Sequence, residues 1–147
     1  MSSSVKSYSP KILNCSKRYW TRSQLKNLSP LPLSFYLRKA PVVAKDLLGK
    51  GLFISHAENH YFCQIIEVEA YLGQEDPASH AYKGPTQRNG SMFKAGGTCY
   101  VYLSYGLNFC MNIATDQEGR GSAVLLRAAI PLMGLETMAK NRHISNL

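Results

Sequence analysis

Two glutamates lie at alternate positions at the end of an apolar segment that reads as a buried strand. Residues 61–66 are YFCQII, and Glu67 and Glu69 follow, with Tyr71 two residues later. A carboxylate held beside a reacting water can serve as a general base. Most acids at strand ends are simply solvated, so Glu69 alone is weak evidence for catalysis. Neighbouring groups must support that assignment.

Three further side chains provide this support. Side chains alternate along a strand, so Tyr71 shares a face with Glu67 and Glu69. His80 follows in the adjoining polar loop, and Arg127 interrupts the apolar stretch SAVLLRAAI. An unpaired charge inside such a strand costs several kcal/mol. We therefore expect a buried Arg127 to pair with one of the two carboxylates.

Tyrosines form a second group of candidate functional residues. The stretch YVYLSYG contains Tyr100, Tyr102 and Tyr105, the last of which precedes a glycine at the predicted tip of a hairpin. Packing in the core suits Tyr100 well and Tyr105 poorly. Exposed aromatic side chains near basic loops stack on nucleobases or wedge between them. The pattern thus favours contact with a nucleic acid.

The elements that must position these residues follow from local patterns. Pro41 followed by VVAKDLLGK predicts a short helix with proline in its first turn, ended by Gly49 or Gly51. GLFISHA and YFCQIIEVEAYL predict a hairpin. Strict alternation in its second strand places Cys63 and Ile65 on the same face as the glutamates.

A long polar segment separates this hairpin from the later strands. The segment GQEDPASHAYKGPTQRNGSMFKAGG has the composition of a loop, and loops of this length in compact domains are usually functional. TCYVYLSYG, LNFCMNIAT and SAVLLRAAI predict three further strands, and LMGLETMAKNR predicts a helix. The order of elements indicates a single α+β domain with a curved, mostly antiparallel sheet, partly open and barrel-like, flanked by short helices.

Charge and composition narrow the functional classes. The chain has 147 residues and a net charge of +8. Residues 1–50 carry +9, from ten basic residues and one acid, and the remainder carries −1. Residues 1–33 are predicted to be a basic, disordered extension outside the fold, with a mitochondrial targeting segment as the alternative. The cysteines lack metal-binding spacing, so they indicate a reduced intracellular compartment and give no sign of a metal or cofactor site.

Several blocks of the sequence together resemble one known family. EVEAYLG, DPASHAYKGPTQRN, YVYLSYGLNFCMNI and AVLLRAAIPLMGLETM occur in one collinear order between residues 34 and 142. They resemble the alkyladenine (3-methyladenine) DNA glycosylases of base-excision repair. The resemblance implies that residues 34–147 form the N-terminal and central part of a catalytic domain that continues in the family. We expect the 147-residue chain alone to be weakly folded and to have little activity.

The resemblance implies a role for each matching residue. Glu69 corresponds to the base that deprotonates the attacking water, with Glu67 as a neighbour, and Arg127 helps to hold both. The extruded purine would lie in a pocket whose walls and floor come from four side chains: Tyr71, His80, Tyr102 and Asn112. Asn112 would disfavour guanine through its exocyclic amine.

Other matching residues would contact the DNA. Tyr105 would fill the gap that the extruded base leaves in the helix. Arg88, Asn89 and Met92 lie in the loop that faces DNA in the family, although Gln87 replaces the usual proline. The partner is therefore expected to be double-stranded DNA with damaged purines, bound by a monomer without membrane association.

The resemblance also implies the reaction and its alternatives. Substrates would be 3-methyladenine, 7-methylguanine, hypoxanthine and ethenoadenine. The matching blocks contain only Lys83 and Lys94 as amines, both in loops, so we expect a monofunctional enzyme that leaves an abasic site. The alternatives are a DNA-binding remnant without turnover and a remnant that does not fold.

Overall fold

The computed structural model describes residues 11–13, 25 and 28–144, which build a single antiparallel sheet with short helices. Its strands are β1 Lys11–Leu13, β2 Gly51–His56, β3 Asn59–Tyr71, β4 Cys99–Ser104, β5 Asn108–Thr115 and β6 Ser122–Met133. The helices are α1 Leu33–Tyr36, α2 Ala40–Leu47 and α3 Leu135–Asn141, and 3-10 turns span Gly73–Glu75 and Gly90–Phe93. The described strands have the order β1-β2-β3-β6-β5-β4 in an open sheet, which confirms the predicted α+β class.

Helix α2 covers one face of the sheet. Proline occupies its first turn, as predicted, and its buried residues recur at helical spacing: Ala40, Val43, Ala44 and Leu47. They pack with Ile65, Ile113 and Val124 from the three central strands. Full burial of an aliphatic side chain stabilises the fold by about 1.5–3 kcal/mol. Because side chains alternate along each strand, the neighbours of the strand residues in this helix-facing core project to the opposite face of the sheet.

The N-terminal part differs from the predicted boundary near Ser34. Lys11–Leu13 pairs with β2, and Ile12 and Leu13 are buried. These apolar side chains gain more from the sheet edge than from water, so this short piece belongs to the fold. The rest of the expected extension, and with it the targeting alternative, lies largely outside the described residues.

Irregularities in the pairing of β3 with β6 change the predicted faces of β3. The register shifts between Ile65 and Glu67, so Ile66 is an extra residue without a partner. A bulge of this kind reverses the alternation that follows it. Ile65 therefore packs with the helix-facing core, as do Cys63 and Val68, and the prediction that Cys63 and Ile65 share the glutamate face is wrong.

A second bulge lies on the partner strand. Glu67 pairs with Ala128 and Val68 pairs with Leu126, so Arg127 has no partner in the ladder. Bulges redirect side chains and are common beside active sites. In the part of the chain that the structure describes, no helix has the length and apolar character to cross a membrane.

Gly97 gives a test of the loop that precedes β4. Its φ of +91° is strained for residues with a Cβ, and an added Cβ would lie 3.3 Å from the Tyr36 ring. We expect Gly97→Ala to lower the free energy of unfolding by about 1–2 kcal/mol, the cost of a left-handed conformation. Gly90→Ala is the control, because a Cβ at Gly90 meets nothing within 4 Å. Urea unfolding that shows equal effects would contradict the prediction.

Candidate active site

One row of paired residues crosses four strands on the face opposite α2. Glu69 on β3 pairs with Leu125 on β6, Leu125 pairs with Asn112 on β5, and Asn112 pairs with Tyr100 on β4. Directly paired residues project to the same face, and neighbouring strands lie about 4.8 Å apart. The sheet therefore brings a carboxylate, a carboxamide and an aromatic ring from distant parts of the sequence onto one surface.

The carboxylate of Glu69 has two partners. Its Oε2 accepts a hydrogen bond of 2.6 Å from the Tyr71 hydroxyl, and its Oε1 lies 3.4 Å from Nε of Arg127. The predicted ion pair is thus present. The expected burial is not, since the side chains of Glu69 and Arg127 are 42% and 56% exposed. The bulge turns Arg127 out of the apolar row of β6, so the pair lies at the surface.

An aromatic cluster stands beside this pair. The His80 and Tyr102 rings meet edge to face with centroids 4.6 Å apart, and the Tyr100 ring stacks on Tyr102 at 5.3 Å. Nδ1 of His80 lies 3.1 Å from the Tyr100 hydroxyl. His80 and Tyr102 therefore form a continuous aromatic wall that the buried Tyr100 supports from behind.

A small cavity lies against this wall. Its volume is about 40 Å³, and its lining comes from seven residues: Tyr71, Ala78, His80, Met92, Tyr100, Tyr102 and Asn112. Pockets that hold small ligands measure about 300–1,000 Å³, so the cavity as it stands has room for a few waters and not for a purine. A base could occupy this place only if its walls moved apart.

The floor of the cavity is polar. Asn112 is 4% exposed, and its Nδ2 donates a hydrogen bond of 3.2 Å to the Tyr100 carbonyl. Met92 is 3% exposed and packs with Ala81 and Ala123 beneath the aromatic rings. The described structure places Met92 in the cavity lining, and the DNA contact that the resemblance implied for it stays a prediction.

Hydrogen bonds inside the loop before β4 hold that loop in place. Asn89 is also only 3% exposed, and its carboxamide bonds to backbone groups of the same loop. Arg88 lies on the surface, where its Nη2 donates to the Leu103 carbonyl at 3.3 Å and its guanidinium lies 5.6 Å from the centre of the Tyr102 ring. Arg88, unlike the buried Asn89, is therefore accessible to an anion from solvent.

The β4–β5 hairpin projects Tyr105 into solvent. Tyr105 is 98% exposed, with φ +50°, and Gly106 has φ +71°. Type I′ turns have positive φ at both central positions, a backbone conformation that strains a tyrosine. Leu107 and Phe109 beside it are 80% and 75% exposed. The predicted exposed aromatic tip is confirmed.

The protonation states of the aromatic groups follow from their surroundings. The hydrogen bond to Glu69 raises the pKa of Tyr71 to about 12, with burial as the next cause. Burial, followed by hydrogen bonding to Cys110, raises the pKa of Tyr102 to about 12. Burial, followed by the charge of Arg88, lowers the pKa of His80. At neutral pH both tyrosines are therefore protonated, and His80 is uncharged.

Two contacts in the site were not predicted from the sequence. The sequence indicated Tyr100 only as a core residue, whereas its hydroxyl also meets His80. Asn89 is a buried anchor of the loop, and its position three residues after Thr86 was the available signal, because the two side chains bond each other's backbone amides. Such short-range capping by Asn and Thr is common in loops.

The hydrogen bond from the Tyr71 hydroxyl to the Glu69 carboxylate can be tested by substitution. Tyr71→Phe keeps the ring and removes the 2.6 Å hydrogen bond to Glu69. A hydrogen bond to a charged group is worth about 1.5–3 kcal/mol. For the base excision that the resemblance implies, we therefore expect a roughly 10-fold slower single turnover with a smaller change in lesion binding. Tyr82→Phe, on an exposed loop tyrosine, is the control. Unchanged excision by Tyr71→Phe would contradict this role.

The fold and the matching sequence place the chain in a known class. The methylpurine-DNA glycosylase (MPG) family model matches residues 34–146. Because this match covers more than half of the sequence, the chain belongs to that family.

Three similar curated proteins share one name. Proteins named "Putative 3-methyladenine DNA glycosylase" from Legionella pneumophila (strain Lens), Natranaerobius thermophilus and Koribacter versatilis are 49%, 44% and 41% identical. The alignments cover 72%, 79% and 84% of this chain. They cover 58%, 59% and 59% of the relatives, so the chain spans somewhat more than half of their length.

Proposed function

We propose that the protein is a DNA repair glycosylase that hydrolyses the N-glycosidic bond of a damaged purine extruded from double-stranded DNA. The substrates are alkylated or deaminated purines: 3-methyladenine, 7-methylguanine, hypoxanthine and ethenoadenine. The single observation that carries this proposal is the Glu69 carboxylate, held by Tyr71 and Arg127 beside an aromatic cavity. It acts inside the cell, wherever DNA is, and needs no metal or cofactor.

Glu69 is the general base. Its carboxylate removes a proton from water while the water oxygen forms a bond to C1′ and the C1′–N bond breaks. The bonding electron pair leaves with the purine, and the sugar becomes an abasic site. Hypoxanthine and ethenoadenine, which are neutral in DNA, also take up a proton from water as they leave. A positioned base contributes about 10²–10⁴-fold to such a step. The negative charge of Glu69 also favours the positive charge that develops on the sugar ring.

Alkylated purines need little further help. A purine methylated at N3 or N7 is cationic in DNA, so it departs as a neutral molecule once it takes the electron pair. Arg127 keeps one carboxylate oxygen oriented, and Tyr71 donates to the other. These contacts leave lone pairs of the carboxylate free to hold the water, because an ionised carboxylate can accept about four hydrogen bonds.

The pocket selects the base in two ways: its aromatic walls stack on the base, and Asn112 at its floor discriminates between purines. Tyr71 forms one wall, and the His80–Tyr102 pair forms the other. The walls must separate to admit a purine, since an aromatic ring needs about 3.5–4.0 Å on each face. Asn112 at the floor disfavours guanine through its exocyclic amine. An uncharged His80 suits this arrangement, because a cationic lesion would repel a protonated imidazole.

Tyr105 and Arg88 serve the DNA side of the reaction. Extrusion of a base costs a few kcal/mol of stacking and pairing. Tyr105, at the hairpin tip, fills the vacated space and recovers part of this cost. Arg88 meets a phosphate near the aromatic wall, as a charged side chain that remains on the surface.

The enzyme is monofunctional. Cleavage of the DNA strand by a glycosylase requires an amine that forms a Schiff base with the sugar. Lys83 and Lys94 are exposed loop residues that do not line the described cavity of the site. Borohydride trapping should therefore yield no covalent complex with DNA, and a trapped complex would show that a lysine takes part.

One assay tests the proposed function. The protein is incubated with a labelled duplex that contains one hypoxanthine, and the products are treated with alkali before electrophoresis. The proposal predicts strand cleavage at the hypoxanthine only after alkali. A low rate fits the little activity expected of these 147 residues alone, provided that it exceeds the rate of Glu69→Gln. Absence of cleavage at enzyme concentrations that saturate the duplex would contradict the proposal.

A DNA-binding module without turnover is the second candidate. The half-exposed Glu69 and Arg127 favour it, because a carboxylate open to water is a poorer base than one in a closed site. It predicts salt-sensitive binding to damaged and undamaged duplexes alike. The same assay separates the two candidates, since binding without abasic sites supports the module alone.

A further inference from the structure

Asn89 makes an unusual number of contacts for a loop residue. Its Nδ2 donates to the carbonyls of His80 at 2.8 Å and Gly84 at 3.1 Å. Its Oδ1 accepts a bond of 2.6 Å from the amide of Thr86. Both amide hydrogens and the amide oxygen are therefore used inside the protein. A side chain with its groups satisfied in this way, and 3% exposed, has nothing to offer to DNA.

The backbone of Asn89 supports the same pocket from a second direction. Its carbonyl accepts a bond of 2.8 Å from the amide of Met92, at the start of the 3-10 turn Gly90–Phe93. Met92 and His80 both line the cavity. One residue thus joins the two loop segments that carry cavity residues.

His80 depends on this anchor because its own segment has little regular structure. The ring of His80 contacts Tyr102 at 4.6 Å and Tyr100 through a 3.1 Å hydrogen bond. A displacement of the backbone by about 1 Å away from Tyr100 would lengthen that contact to about 4 Å, which is too long for a hydrogen bond. Loss of the carboxamide would leave two carbonyls without their donor, and such groups move to find water.

We propose that Asn89 is a positioning residue that acts through His80: its carboxamide holds the His80 backbone so that the imidazole stays against Tyr102 as one wall of the base pocket. Asn89 itself does not touch DNA. This inference rests on the proposed function, since the wall matters only if a base enters.

A double-mutant cycle tests the inference with a duplex that contains ethenoadenine. Asn89→Ala should weaken binding of this duplex by about 10-fold, and binding of the undamaged duplex by less than about 2-fold. In a His80→Ala background the same change should cost less than about 2-fold, because residues that act as one unit are not additive. Equal losses in both backgrounds would overturn the inference.

Thr86→Val is the matched control. It removes the hydroxyl that accepts a 3.2 Å bond from the Asn89 amide and leaves both bonds of the Asn89 Nδ2 in place. Lesion binding should stay within about 2-fold of the original protein. A loss as large as that of Asn89→Ala would show that general loosening of the loop explains the effect, and the inference would fail.

A measurement without DNA separates this inference from the proposed function. NMR titration of His80 in the original protein should give a pKa below the ordinary value, because of burial and the charge of Arg88. In Asn89→Ala the pKa should rise toward the ordinary value as the ring turns to water. An unchanged titration would overturn the inference even if excision occurs. Failure to prefer the lesion duplex would instead count against the proposed function.

Folding is checked by circular dichroism. If Asn89→Ala does not unfold cooperatively, Asn89→Ser takes its place, since the hydroxyl can satisfy one of the exposed groups. If neither variant folds, the inference is overturned, because Asn89 would then serve the stability of the domain and not the placement of His80.

Discussion

Replacing Glu69 by Gln is expected to lower single-turnover excision by at least about 100-fold, the usual scale of a general-base contribution. Gln keeps the shape and can still accept from the Tyr71 hydroxyl, whose hydrogen bond to Glu69 is 2.6 Å. It cannot remove a proton from water. Binding of a lesion duplex should therefore persist. The measurement is the rate of base release at saturating enzyme, with affinity measured separately by fluorescence anisotropy.

Glu67→Gln is the matched control for this variant. Glu67 lies two residues earlier on β3 and pairs with Ala128 across the bulge at Arg127. We expect its replacement to change excision by less than about 3-fold, as for surface groups away from the chemistry. Comparable losses at both positions would move the assignment of the base away from Glu69.

Tyr105→Ala should weaken binding of a lesion duplex by about 10- to 100-fold, since stacking of an aromatic side chain on a base is worth about 1–3 kcal/mol. The side chain is 98% exposed, so its removal leaves no cavity in the protein. Binding of a single strand with the same lesion should change little, because no stack has to be filled. Anisotropy titrations on both substrates make this comparison.

Tyr105→Phe serves as the control, because it keeps the ring and loses only the hydroxyl. Its binding should stay within about 3-fold of the original protein if stacking is the main contribution. Equal losses of duplex and single-strand binding in Tyr105→Ala would show that the residue is a general contact and not a plug.

Much of the fold could be predicted from local patterns. The proline-started helix α2, the hairpin of β2 and β3, and the strands around Tyr105 all have strong periodic or turn signals. The N-terminal strand Lys11–Leu13 could not, because three residues have no periodicity and its pairing with β2 is a long-range contact.

The faces of β3 were harder to predict than its position. Side chains alternate between faces only in an unbroken strand. The extra residue Ile66 places Cys63 and Ile65 on the face opposite to the glutamates, where the sequence had predicted the same face. The bulge at Arg127 likewise changed an expected buried arginine into a half-exposed one. Bulges depend on how two distant strands fit together, which a local pattern does not record.

The site was predicted residue by residue from the resemblance, and the structure brings most of those residues to one surface. Glu69, Tyr71 and Arg127 are in direct contact. One cavity is lined by His80, Met92, Tyr102 and Asn112. The roles of these residues in chemistry and in DNA contact stay predictions, and for Asn89 the geometry favours a role inside the protein.

Release of the free base is the most direct test of whether the protein hydrolyses the N-glycosidic bond. The protein, at a concentration above that of the DNA, is incubated with a duplex that contains 7-methylguanine, and the small-molecule fraction is analysed by mass spectrometry. We expect free 7-methylguanine in proportion to abasic sites, and at least about 100-fold slower release with Glu69→Gln. Full binding of the duplex with no free 7-methylguanine would contradict the proposed hydrolysis.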